Sequence, residues 1–168
     1  MRNRLATDRE RAAMSTPAIA LLLANTGATL YMTGLIWFVQ IVHYPLFAAV
    51  GRAEFPAYSR AHQTLTTLVV GPPMLVEALT AGLLIVMRPP AVPAWAAWTG
   101  LVLVGVIWIS TATMQVPSHA RLVGGFDEST GAFLVHSNWI RTAAWSARGA
   151  LVLWMLWLCL APAAEARA

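Results

Sequence analysis

The sequence predicts an all-α integral membrane protein: a four-helix bundle threaded up-down-up-down, with its second span kinked at Gly71-Pro72-Pro73. Three observations predict it. The 168 residues are 58% hydrophobic and only 11% charged, well outside the range of soluble globular chains. The apolar residues gather in four runs long enough to cross a bilayer. Aromatic residues collect at the ends of those runs, as interfacial anchors do.

The chain opens on a basic tail over 1–16, with Arg2, Arg4, Arg9 and Arg11. The net charge of +4 rests on arginine alone, since the chain has no lysine. The positive-inside rule puts this tail in the cytoplasm, and four spans return the C-terminus to the same side of the cell membrane. No basic patch on a folded face points to nucleic acid. The single Cys159 can form neither an internal disulfide nor a CxxC site.

Span one covers about 18–44 and is broken only by Asn25, Thr26, Thr29, Thr33, Gln40 and His43. It is too long for the apolar core of a signal peptide and reads as an uncleaved anchor. Span two covers about 62–87. Starting it after the prolines would leave only about 14 residues, short of the ~20 a bilayer requires. It therefore includes the segment before them, and Pro72 and Pro73 leave the carbonyls of Leu68 and Val69 without their usual donors. Span three covers about 93–116. The fourth helix starts near Ser129, behind the acidic Asp127 and Glu128, and reaches Leu160. Its first turns stand in the interface, leaving a span of about 136–160. Trp95, Trp98, Trp154 and Trp157 fall at one face, and Tyr44, Phe55, Tyr58 and Trp139 at the other.

This threading constrains the chemistry. His43, His62, His119 and His136 each sit at a different span end, and all four fall at one membrane face. Converging imidazoles there could bind a metal ion or supply haem ligands, while amphipathic histidines resting in the interface are the plainer reading. Glu77 lies ~22 Å below His62, and Arg148 ~18 Å below His136, at 1.5 Å per residue. Their depths match, so the two are expected to pair inside the bundle, either for structure or as candidate catalytic or proton-handling residues. Ser110, Thr111, Thr113, Gln115 and Gln40 supply helix–helix hydrogen bonds or the floor of a pocket beneath the histidines. In outline, Trp37, Gln40, His43 and Pro45 parallel Trp108, Gln115, Pro117 and His119, a faint trace of a duplicated hairpin.

Pro117-Ser118-His119-Ala120-Arg121-Leu122, followed by Asn138-Trp139-Ile140-Arg141, resembles the anthrone oxygenase-like family of small four-helix membrane proteins. The Gly34…Phe38…Pro45 run in span one is also similar. His119 stands where that family usually has Asn. The resemblance implies oxidation of a polycyclic phenolic or similar apolar substrate by dioxygen, without an obvious cofactor. It makes Arg141 and Asn138 candidate catalytic residues, with His119 and His136 beside them. Read from the residues alone, Asn138 and Arg141 share a helical face at the interface, where contact with lipid headgroups is the plainer role.

Three functions therefore compete. One is an oxidoreductase or oxygenase acting on a lipid-soluble substrate at the histidine face. Another is a haem- or metal-binding electron-transfer subunit. The last is a non-enzymatic membrane subunit or small transporter using Glu77 and Arg148. Membrane lipids and an apolar small molecule are the expected partners, with self-association or a larger membrane complex open to so small a bundle. Nucleotide, phosphate and serine-nucleophile motifs are absent, which argues against ATP-driven and hydrolytic roles within this sequence.

Overall fold

The computed structural model describes residues 16–165; apart from Thr16, the basic tail lies outside them. Apolar runs become helices because a bilayer offers backbone groups no partners, so each segment must satisfy its own. In chain order these are α1 (Thr16–Phe38), α2 (Phe55–Met87), α3 (Ala94–Ser110), α4 (Val116–Leu122) and α5 (Glu128–Glu165). Helical turns join some of them, giving four stretches long and apolar enough to cross a membrane: Thr16–Ala49, Phe55–Met87, Ala94–Leu122 and Glu128–Ala161. The chain is thus a small multi-pass integral membrane protein built as an all-α four-helix bundle.

The ends of the helices follow local chemistry. Pro56 at the start of α2 loses no needed donor there, so that helix begins at Phe55, ahead of the expected 62. It then runs without a break through Pro72 and Pro73 to Met87. Pro93 precedes the first turn of α3. Asp127 precedes α5, and its Oδ2 accepts hydrogen bonds from the Thr130 backbone N–H and the Ser129 hydroxyl. Those bonds favour the ionised form and hold the Asp127 carboxyl down at about 2.

Spans one and three share a feature that periodicity could not foretell. Each widens into a single π turn, Val39–His43 in one and Thr111–Gln115 in the other. In both, a proline follows two residues after that turn, Pro45 and Pro117. The Tyr44 N–H reaches Val39 O at 3.0 Å, and the Val116 N–H reaches Thr111 O. The wider turn accommodates a ring that would press on the carbonyl four residues back in a regular helix.

Around the bundle, α1 packs on α2 and α5, and α3 packs on α2 and α5. The helices α2 and α5 therefore face one another across the diagonal. Three apolar clusters stack along the axis. Leu22, Leu84, Val92, Ala96, Met155 and Cys159 fill the end near the termini. Met32, Ile36, Met74, Ile107, Ala144 and Trp145 fill the middle. Tyr44, Phe47, Phe55, Leu122 and Leu134 close the histidine end. Large apolar side chains such as Leu65, Leu68, Leu79, Ile109 and Trp157 point outward, as lipid contact requires.

The aromatic belts are partly as expected. Trp95 and Trp154 meet at one end with ring centroids 5.2 Å apart. At the other end Trp139 is exposed, whereas Tyr44 and Phe55 are core residues, 6% and 0% exposed. They turn inward because Phe47, in the Pro45–Ala49 turn, gives their rings an aromatic partner under the bundle's cap.

Candidate functional site

Two buried polar layers cross the bundle, and both depend on α5. Its inward face carries Asn138, Arg141, Thr142, Trp145 and Arg148, which recur at the three- and four-residue steps of one helical stripe.

The deeper layer centres on Glu77, which is paired with Arg148 across the diagonal. Arg148 Nε lies 2.8 Å from Glu77 Oε1. The Thr29 hydroxyl donates to the same oxygen at 2.8 Å, and Trp145 Nε1 donates to Oε2 at 2.9 Å. The rest of the guanidinium donates to Gly100 O, to Thr29 Oγ1 at 3.1 Å and to Asn25 Oδ1 at 3.4 Å. Asn25 in turn donates to Thr80 Oγ1 at 2.8 Å and to Glu77 O at 3.1 Å. Each charge meets its opposite and several dipoles, as a buried ion pair must to offset desolvation. The void beside this network is about 10 Å³, too small for a substrate.

The second layer lies at the histidine end. His43 Nε2 and His62 Nδ1 are 2.9 Å apart, and the Thr66 hydroxyl reaches the same His62 nitrogen at 3.0 Å. The rings of His62 and His119 lie 5.1 Å apart, and His119 Nε2 is 3.1 Å from the Tyr44 hydroxyl. Phe47 packs edge-on against all three imidazoles. Gln63 anchors the segment carrying His119 by donating to its carbonyl at 3.2 Å.

The expected foursome resolves into three plus one. His136 is exposed on the outer surface of α5, because it lies two residues from inward-facing Asn138 and so nearly opposite it on the helix. A metal ion held by two imidazoles needs each nitrogen ~2.0–2.1 Å away. His43 and His62 instead face each other directly at hydrogen-bonding distance. Among the described residues, no group of three or more His, Cys, Asp or Glu side chains is arranged to hold a metal ion.

Below the imidazoles lies a cavity of about 260 Å³. Met32, Leu35, Ile36, Val39 and Val70 form its apolar walls, and Tyr44, His62, Gln115, His119 and Arg141 its polar end. Thr67 on α2 and Val116 on α4 line it and are also exposed, so it opens between spans two and three. The π turn of span three puts both its first and last residues, Thr111 and Gln115, on the cavity wall.

Asn138 and Arg141 part company here. Asn138 is fully buried but lies off the cavity, donating to Gln40 Oε1 at 2.8 Å. Gln40 also donates to Val135 O at 3.2 Å, so this pair ties span one to span four. Arg141, expected at the headgroups, is instead 7% exposed, lines the cavity and stacks over the Trp145 ring at 5.2 Å. Among the described residues, four buried side-chain polar atoms lack a hydrogen-bond partner: Gln115 Oε1, His119 Nδ1, Asn138 Oδ1 and Arg141 Nε. Three of them belong to residues that line the cavity. Tyr44 and Thr66 join the site unforeseen, although Tyr44 lies one helical step of four from inward-facing Gln40, a spacing that signals its face.

Comparison with protein-family models, characterised proteins and solved structures finds no match to this chain.

Proposed function

We propose that this protein is a membrane oxidoreductase acting on a lipid-soluble small molecule in the cavity between spans two and three. The observation that carries the reading is the asymmetry of that cavity. Its walls are largely apolar and it opens between spans two and three, whereas its polar lining gathers two imidazoles, a phenol, two amides and a guanidinium. Apolar walls with a few convergent polar groups are the usual form of a small-molecule site.

His119 is the proposed base. With Nε2–H donating to the Tyr44 oxygen, Nδ1 keeps a free lone pair on a residue that lines the cavity. It would take a proton from an acidic C–H or O–H of the substrate, leaving an electron-rich anion that dioxygen can oxidise. For a CH₂ beside a carbonyl the balance is CH₂ + O₂ → C=O + H₂O, the substrate carbon being oxidised and dioxygen reduced. The resemblance to the anthrone oxygenase-like family supports dioxygen as oxidant. The rival centred on Glu77 and Arg148 has less support, because that pair is closed by hydrogen bonds with no space beside it for cargo.

Anthrone tests the reading. Purified protein should convert it to anthraquinone faster than matched empty detergent, with H119A reducing the gain about 100-fold or more. No rate above the detergent blank would sink the oxygenase reading. An H119N variant at full rate would remove His119 as the base.

A further inference from the structure

Arg141 is a buried cation whose counter-charge is absent from its surroundings. It makes no ion pair with any described residue, and its buried Nε lacks a hydrogen-bond partner. Glu77, buried in the bundle, is taken by Arg148, and Glu54, Asp127 and Glu128, the other acids whose side chains are described, are exposed. Its neighbours are the Trp145 ring, which holds the guanidinium by its face, and the Tyr44 hydroxyl, close enough to act as a side-chain hydrogen-bond partner but no carboxylate. A guanidinium cannot shed its proton to escape this position, so the charge persists. A cation so placed is costly unless something answers it.

We propose that the answering group is the ligand: the cavity takes an amphipathic monocarboxylate, its carboxylate on Arg141 and its apolar body against Leu35, Val39 and Val70. This rests on the cavity being a ligand site, as proposed above, and adds the chemical class. The planar fork of arginine matches a carboxylate with two parallel hydrogen bonds. No second arginine lines the cavity, which favours one negative charge over the two of a phosphate monoester. The volume of about 260 Å³ is small, so a long chain must lie partly out through the opening between spans two and three. Entry from the bilayer suits a molecule whose body partitions there while its head seeks a charge.

Two probes separate the possible sources, dodecanoate for an acyl chain and naphthoate for an aromatic acid. Each is titrated by calorimetry into detergent-purified protein beside its neutral alcohol, dodecanol or naphthylmethanol. At least one acid should bind about tenfold tighter than its alcohol, the size of one charge-assisted hydrogen bond. In R141Q that preference should shrink to about twofold or less. In V70W, which fills the cavity and leaves Arg141 in place, acid and alcohol should both lose affinity. Equal binding of acid and alcohol to the native protein overturns the charge assignment and leaves the cavity reading standing. An R141Q variant that keeps the preference, or fails to fold, overturns it as well, and so does a V70W variant that binds like the native protein. If no probe of either kind binds, the cavity reading falls too.

Discussion

Arg141 and Arg148 stand seven residues apart on one helix, on the same inward stripe, and are 7% and 1% exposed. Sequence and burial scarcely distinguish them, yet their surroundings differ completely. Arg148 meets a carboxylate, a backbone carbonyl, a hydroxyl and an amide oxygen, with almost no free volume beside it. Arg141 meets a ring face, a phenol and a cavity, and no carboxylate. A buried charge with every partner in place ties helices together. One with its partner missing, beside space for a molecule, marks a place where the protein gives up stability to bind something.

The largest effect should come from breaking the closed layer. Glu77→Gln leaves the Arg148 charge uncompensated and should destabilise by about 3–5 kcal/mol, read by denaturation in a mild detergent. Replacing both partners with apolar residues of similar size, E77L with R148M, should cost clearly less than E77Q alone, since no charge is left buried without its partner. A double variant worse than the single would mean that the pair does more than neutralise itself.

Thr29→Val keeps the shape but removes the donor to Glu77 and the acceptor for Arg148, so a loss of about 1–3 kcal/mol is expected. The same assay on Gln40→Leu should give a similar loss, because it leaves the Asn138 amide without its acceptor. His136→Ala should be the smallest effect, within about 0.5 kcal/mol, with ligand binding unchanged. A large loss there would place His136 back among the other three.

Much of this was legible before any coordinates. The four spans follow from apolar runs, and the Glu77–Arg148 pair from counting residues down two antiparallel helices. The same counting brought His43, His62 and His119 to one level. It failed for His136 because level and direction are different quantities. At ~100° per residue, His136 is turned about 200° from Asn138, and helical phase would have set it outside. Tyr44 and Phe55 stand at span ends, where aromatics usually form an interfacial belt, whereas here Phe47 draws them under the cap. The π turns were not legible, since their hydrogen-bond pattern leaves no periodic mark over a single turn. The unpaired Arg141 was half legible: the fourth span holds two arginines, and the other spans offer one acid to meet them.

The most direct test of the contrast is a pair of thermal melts, R141Q and R148Q, in the same detergent as the native protein. R148Q should melt far below the native protein, because Glu77 is left buried without its cation. R141Q should melt at the native temperature or above it, because only an unanswered charge has been removed. If R141Q falls as far as R148Q, Arg141 supports the fold as Arg148 does, and the distinction between a structural layer and a ligand site is contradicted.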